Sequence, residues 1–567
     1  MVKGIGGSAG YGVGKVVIIS NAKPEYTVRP IKDTEAEVKR YEDAVEAFEK
    51  KTQAMADSMR GRVGDHNAEI LEGHILLLKD PGMEEIVKST IKSGTCAEAA
   101  FESACDMFIQ MFQSTGDELL QQRVTDMNDI RTRMLKILTN TPDINIADVP
   151  AGSILVAEDL TPSMTAGIVK ENVAGIITEV GGKTSHSAIL ARALRIPAVL
   201  SVTGIVSMVH DGMEAAVDGV TGTCVLEPDE AEKEAYLTKR ADYLREQEML
   251  VIYKGRQTQT ADGCKVELFG NIGNPDEAEQ VVACDGEGVG LFRTEFLFMG
   301  ASSLPSEEDQ FAAYKKAAET MQGKAVIIRT LEVGGDKDIP YLGLQKEDNP
   351  FLGYRAVRYC LQHEEMYRVQ LRALLRASAF GDLRIMVPLV TCVEEIRQVK
   401  ALLKELMAEL DAEGRKYNKD IPVGVMIETP AASLIADLLA KEADFFSIGT
   451  NDLTQYTMAV DRGNAKVSYL YSAYQPAVLR SIRHIIEAGK NAGIPVGMWG
   501  EAAADPQLIP LLISFGLDEY SVGATSVLAT RGTIAKWSKA DADALAKQAL
   551  SLATEQEVEE LLAGARR

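Results

Sequence analysis

The chain has 567 residues, too many for one hydrophobic core, so two to four domains are expected. Its 46% hydrophobic and 25% charged residues are ordinary globular values that exclude a disordered or fibrous chain. The net charge of −23 argues against nucleic acid or an anionic membrane as partner, because both would be repelled.

The chain opens Met1-Val2-Lys3-Gly4-Ile5-Gly6, without the apolar core of a signal peptide. No run approaches membrane-spanning length, so no membrane insertion is expected. After a glycine-rich turn, residues 14–19 read as a strand. From about 34 to 138 the pattern becomes helical, as in Ala36-Glu37-Val38-Lys39-Arg40-Tyr41-Glu42-Asp43-Ala44-Val45. This predicts a bundle of antiparallel helices. From 152 to about 227 short apolar strands alternate with helices again. The simplest account is a helical block inserted into an α/β domain. Residues 228–257 are charged and helical and read as a connector. The seven cysteines (Cys96, Cys105, Cys224, Cys264, Cys284, Cys360, Cys392) are scattered and form no CxxC pair. They fit a reducing cytoplasm rather than a disulfide framework or structural zinc.

Inside the α/β part, the apolar run Val173-Ala174-Gly175-Ile176-Ile177 is followed by Gly181-Gly182-Lys183-Thr184-Ser185-His186 and a helical pattern from Ser187 to Leu194. Thr184 and Ser185 are good helix caps, which puts His186 in or beside the first turn. Free N–H groups and the positive dipole end favour anions there and disfavour imidazolium. His186 is therefore a candidate phosphate-accepting nucleophile. The other reading of this segment alone is a polar residue closing a strand–helix turn.

Beyond 261, eight apolar strand candidates recur with helical spacers: 266–271, 288–294, 325–330, 384–390, 423–428, 445–451, 496–500 and 519–523. Eight β/α units predict a (β/α)8 TIM barrel with its chemistry at the C-terminal strand ends. Those ends carry Arg293, Arg329, Glu428, Asn451 and Asp452, with Arg462 shortly after. Arginines offer paired donors matched to phosphate and carboxylate. Glu428 and Asp452 offer oxygen ligands for Mg²⁺. Rim salt bridging would explain any one of these residues. Six of them at four strand ends point to a common site for a small phosphate ester handled with Mg²⁺.

The motif around His186 (181–192), Gly290-Leu291-Phe292-Arg293-Thr294-Glu295, Ile427-Glu428-Thr429-Pro430 and Gly449-Thr450-Asn451-Asp452-Leu453-Thr454-Gln455-Tyr456 look like those of the phosphoenolpyruvate-utilising enzymes. Over nearly all 567 residues the chain resembles the Enzyme I family of the sugar phosphotransferase system. The resemblance implies an α/β multidomain protein with four parts. Residues 1–22 plus 148–227 would form a phosphohistidine domain, and 23–147 an inserted helical domain binding the carrier protein HPr. Residues 228–260 would be a linker helix, and 261–567 a phosphoenolpyruvate-binding, dimer-forming TIM barrel. It implies a cytoplasmic homodimer that moves the phosphoryl group of phosphoenolpyruvate to Nε2 of His186 and then to a histidine of HPr. Arg293, Arg329, Asn451, Asp452 and Arg462 would hold phosphoenolpyruvate, with Glu428 and Asp452 on Mg²⁺. Lys337 and Arg355 would be secondary phosphate contacts.

Two positions depart from the family. Its strand-seven segment reads Gly-Met-Cys-Gly-Glu, with the cysteine as proton donor to the enolate, whereas here it is Gly497-Met498-Trp499-Gly500-Glu501. An indole N–H is too weak an acid for that task. Impaired turnover is therefore expected, and the alternative is a weakened relative acting as a phosphoenolpyruvate- or HPr-binding regulator. In Asp126-Met127-Asn128-Asp129-Ile130 the family commonly has arginine where Asn128 stands. His66, His74, His210, His363 and His484 read as structural.

Overall fold

Short glycine-interrupted runs at the start of the chain form β1 (Val2–Lys3), β2 (Ile5–Ser8) and β3 (Tyr11–Ile18). The computed structural model describes every residue except 20–22, 64, 115–117, 142–145, 147–148, 162, 165–166, 183–184, 300, 302, 335–338, 465 and 566–567. It divides into two compact units, Met1–Glu246 and Gln247–Arg567.

In the first unit β1–β3 join β4 (Ser153–Ala157), β5 (Val173–Thr178), β6 (Ala198–Leu200), β7 (Glu214–Asp218) and β8 (Thr223–Leu226) in one mixed sheet. Its strand order is β1-β8-β7-β3-β4-β5-β6-β2. The parallel pairing of β3 with β4, Lys15 opposite Ser153 and Ile18 opposite Val156, carries the chain start back to residues beyond the helices. Between them in sequence come α1 (Thr34–Val63), α2 (Asp65–Leu78), α3 (Pro81–Lys92), α4 (Ala97–Ser114) and α5 (Glu118–Leu138). Their apolar faces meet in a core that includes Tyr41, Phe48, Met83, Phe101, Ile130 and Met134. The charged segment forms a helix over Glu230–Leu250, followed by a 3-10 turn at Val251–Tyr253.

His74 has a buried, acidic setting. It is fully buried on α2, with Nε2 3.3 Å from Asp126 and Nδ1 3.7 Å from Asp129. Both acids are on α5, so the context is tertiary and leaves no trace in local sequence. The side chain of His66 lies outside the described residues.

The second unit contains a closed barrel of β9 (Glu267–Ile272), β10 (Val289–Arg293), β11 (Val326–Arg329), β12 (Leu383–Val387), β13 (Val423–Ile427), β14 (Phe446–Gly449), β15 (Val496–Trp499) and β16 (Glu519–Gly523). Every neighbouring pair is parallel, and β16 closes on β9. Each expected strand is present, with ends shifted by a few residues. The main shift is at 445–451: the strand stops at Gly449, and Asn451 lies instead in a helix over Thr450–Met458. Phe269, Leu291, Ile327, Met386, Met426 and Phe445 fill the barrel interior.

Candidate active site

The C-terminal strand ends bring the predicted arginines and acids into an alternating ionic chain. Arg293 and Arg329 end neighbouring strands and stand in register. Arg329 is almost fully buried, and its Nη2 lies 2.6 Å from both Glu295 Oε1 and Glu332 Oε2. The other oxygen of Glu332 pairs with buried Arg355. Arg355 approaches Asp452 Oδ2 at 4.0 Å, and Asp452 Oδ1 accepts from Arg462 Nη1 at 2.9 Å. Burial works against the Arg329 cation, but Glu295, Glu332 and Glu428 outweigh it and hold the group charged.

Glu428, just past β13, is fully buried. Its Oε1 accepts from the Leu389 N–H at 2.6 Å, while its buried Oε2 has no hydrogen-bond partner. Burial, then Asp452, then Glu332, push its pKa well above the usual carboxylate range. Asp452 is raised likewise, by burial and then Glu332. Gly449 keeps this corner open, because a Cβ there would stand 2.6 Å from Glu428 Oε2. Among the described residues no group of three or more His, Cys, Asp or Glu is arranged to hold a metal. Glu332 has both oxygens on arginines at close range, whereas Glu428 Oε2 has no hydrogen-bond partner and Asp452 Oδ2 has an arginine only at 4.0 Å, which makes Glu428 and Asp452 the candidate ligands. An unspent buried oxygen and two acids that resist ionising together fit one divalent cation completed by substrate oxygens and water.

Arg293 is less buried. Its guanidinium lies over the Phe296 ring at 4.8 Å, and its buried Nε makes no hydrogen bond. It therefore has donor capacity to spend on an anion. Asn451 is in the first turn of the Thr450–Met458 helix, and its carbonyl accepts from the Tyr471 hydroxyl at 3.3 Å. Arg462 is the most exposed of these groups, at 38%. Lys337 lies outside the described residues.

Trp499 ends β15 and turns its indole against the barrel interior. Its Nε1 donates to Met426 Sδ at 3.2 Å, and the Arg329 guanidinium lies 5.5 Å from its ring centre. The next residue, Gly500, has φ +116, and a Cβ there would meet Thr450 Oγ1 at 2.2 Å. Only glycine fits that turn without strain.

In the first unit the helix His186–Leu194 begins at His186, capped by Ser185, whose Oγ accepts from Ala188 N–H at 3.3 Å. Gly181, at φ +106, makes the preceding turn, and its carbonyl accepts from Ser201 Oγ at 2.5 Å. The His186 side chain, like Lys183 and Thr184, lies outside the described residues. Sequence reasoning missed Glu332, Tyr471 and Phe351. The signal for Glu332 was an acid three residues past a strand-end arginine. Tyr471 lies in a loop, and Phe351, whose ring centre is 5.4 Å from the Arg355 guanidinium and 5.9 Å from that of Arg462, in a 3-10 turn over Pro350–Leu352; neither carried such a signal.

Three family models match in order along the chain: PEP-utilising enzyme, N-terminal, at residues 3–123; PEP-utilising enzyme, mobile domain, at 149–222; and PEP-utilising enzyme, PEP-binding domain, at 248–539. The phosphoenolpyruvate-protein phosphotransferase of Priestia megaterium is 44% identical over 564 residues, covering 99% of this chain and 98% of that protein. That of Bacillus subtilis (strain 168) is 44% identical over 560 residues, covering 98% of each. That of Listeria innocua is 42% identical over 562 residues, covering 99% of this chain and 98% of that protein. With strand-end arginines, buried acids and near-complete coverage in agreement, the chain belongs to the phosphoenolpyruvate-utilising enzymes, in the phosphoenolpyruvate–protein phosphotransferase (Enzyme I) family.

Proposed function

We propose that this chain transfers the phosphoryl group of phosphoenolpyruvate to its own His186 and then to a histidine of HPr, the first step of sugar phosphotransferase transport. The observation that carries this reading is the ionic file Arg329–Glu332–Arg355–Asp452–Arg462 at the barrel mouth, buried as far as Asp452 and exposed at Arg462. It prepays the ordering of arginines that must receive a multiply charged anion.

Arg293, Arg329, Asn451 and Arg462 bind the phosphate and carboxylate of phosphoenolpyruvate, with Arg355 and Lys337 as secondary phosphate contacts. Glu428 and Asp452 would hold Mg²⁺, which supplies charge neutralisation on the phosphoryl oxygens. Neutral His186 attacks phosphorus through Nε2. The bond from phosphorus to the enol oxygen breaks, leaving phosphohistidine and enolpyruvate. A proton added at the methylene carbon then completes pyruvate. Trp499 cannot donate that proton, so this last step is slow or occurs after release.

The domain reading accompanies this: 1–22 with 148–227 carries His186, 23–147 receives HPr, 228–260 links, and 261–567 binds phosphoenolpyruvate and dimerises. Leu76, Met107 and Met111 are exposed apolar side chains on the helices offered to HPr. Asn128 does not leave this region without positive charge. Arg131, three residues on, donates to the Asn128 side chain and to Asp106, each at 2.7 Å. The chain is assigned to the cytoplasm. Among the described residues no helix is long and apolar enough to cross a membrane.

The test is incubation with phosphoenolpyruvate, Mg²⁺ and HPr. Acid-labile phosphate on HPr, lost in His186→Ala, is the expected result. Trp499 favours a second reading, a phosphoenolpyruvate- or HPr-binding regulator. That reading predicts binding without phosphate on either histidine.

A further inference from the structure

Asp452 and Phe351 share the same two arginines. The carboxylate accepts from Arg462 Nη1 on Oδ1 at 2.9 Å, and Arg355 Nη2 stands 4.0 Å from its Oδ2. The Phe351 ring centre lies 5.9 Å from the Arg462 guanidinium and 5.4 Å from that of Arg355. Both distances fall within the roughly 6 Å at which a ring face attracts a cation. One phenyl ring therefore attends both cations at the outer end of the file.

The 3-10 turn that presents the ring, Pro350–Leu352, is held by side chains at successive backbone positions. The Tyr456 hydroxyl donates to the Phe351 carbonyl, and Arg358 Nη1 donates to the Leu352 and Gly353 carbonyls, each at 3.2 Å. Both oxygens of Glu347 accept from the Tyr354 N–H at 3.0 Å. Tyr456 follows Asp452 by four residues on the helix Thr450–Met458, one turn along the same face. That helix thus places the carboxylate between the arginines and, through Tyr456, the backbone that carries the ring.

The carboxylate is the partner less available during function. On the reading proposed above, Asp452 takes up a divalent cation, which competes with both arginines for its two oxygens. The ring bears no net charge for a metal or a phosphate to claim, so its hold on the guanidiniums persists when that of Asp452 weakens. Arg355 is buried, and a ring face is worth most to a cation withdrawn from water.

We propose that Phe351 is a positioning residue of the anion site: its ring face keeps Arg355 and Arg462 in place to receive phosphoenolpyruvate. This inference rests on the phosphoenolpyruvate and divalent-cation reading of the site. It assigns Phe351 no contact with the reacting atoms.

The test is calorimetric titration of phosphoenolpyruvate, with Mg²⁺ present, into the full-length chain carrying His186→Ala, which blocks chemistry. Adding Phe351→Leu keeps an apolar side chain and removes the ring face. It should weaken binding about tenfold, the loss of two ring–cation contacts. Pentafluorophenylalanine introduced at position 351 keeps the shape of the ring and removes its negative face. It should weaken binding to a similar extent, which a role in packing alone would not produce. Unchanged affinity in Phe351→Leu overturns the assignment. So does a fluorinated protein that binds like its parent, because the ring would then act by its shape. If the parent chain binds no phosphoenolpyruvate, the underlying reading of the site falls and this one falls with it. If the parent binds and Phe351→Leu binds equally, only the Phe351 assignment falls.

Discussion

Arg329 and Trp499 converge on one sulfur: the Met426 Sδ lies 3.2 Å from Trp499 Nε1 and 3.9 Å from Arg329 Nη1, with the guanidinium 5.5 Å from the indole ring centre. The indole therefore braces the Arg329 guanidinium and the barrel interior together. Its bulk is directed at Met426 and the apolar residues beneath. What the position lacks is an acidic proton.

Trp499→Cys should accordingly raise pyruvate formation from phosphoenolpyruvate, by about 10²-fold if the thiol acts as general acid. It should also cost roughly 3 kcal/mol of stability through the cavity left beside Met426. A coupled pyruvate assay and a thermal melt read the two effects separately. Equal pyruvate rates in the two proteins would remove protonation from the list of slow steps.

Arg329→Ala should be far more damaging to folding than an ordinary surface change. It leaves Glu295 and Glu332, both buried, without the cation between them, and breaking such a pair costs about 3–5 kcal/mol. Arg329→Lys should retain most stability while weakening phosphoenolpyruvate binding about tenfold or more, because an ammonium cannot serve two carboxylates and an anion in fixed directions. Thermal melts and phosphoenolpyruvate titrations distinguish the two variants. An Arg329→Ala protein that melts like wild type contradicts the argument.

The barrel was legible because eight apolar runs at β/α spacing have few other solutions, and strand-end position alone picked out Arg293, Arg329, Glu428 and Asp452. Asn451 was placed on the right side of the barrel but in the wrong element. Gly449 ends the strand early, where a side chain would strike Glu428. Glu332 was not legible as a site residue, since its role comes from bridging Arg329 to Arg355, which lies 23 residues beyond Glu332 itself. The buried surroundings of His74 depend on the α2–α5 pairing and could not be read locally.

Mg²⁺ should stabilise the chain through Glu428. At about 100 times its Kd, a cation bound to the folded state alone adds about 2.7 kcal/mol, a rise in Tm of roughly 5 °C. In Glu428→Gln the metal-free protein should melt higher than metal-free wild type, because the carboxyl crowded by Asp452 and Glu332 is gone. Its response to Mg²⁺ should be largely lost. Differential scanning calorimetry of both proteins, with Mg²⁺ and with chelator, checks this. An unchanged Mg²⁺ shift in the variant would place the cation elsewhere.

Glu519 gives the chain a pH dependence independent of the active site. Its carboxylate crosses the barrel interior against Gly290 and Gly497, where a Cβ would stand within 2.3 Å of it. Burial, reinforced by Glu267, pushes its pKa from an ordinary 4.5 to about 8. Between these values the folded chain holds a proton that the unfolded chain has lost. Stability therefore falls as pH rises through that window, by at most about 1.4 kcal/mol per unit, and this contribution levels off above the folded value. Glu519→Gln, neutral at every pH and close in shape, should lack this slope. Urea denaturation from pH 5 to 9 should show the variant gaining on wild type by a few kcal/mol up to about pH 8, then running parallel to it. Curves that run parallel from pH 5 upward would mean that Glu519 is ionised in the folded barrel at neutral pH, with Arg384 outweighing its burial.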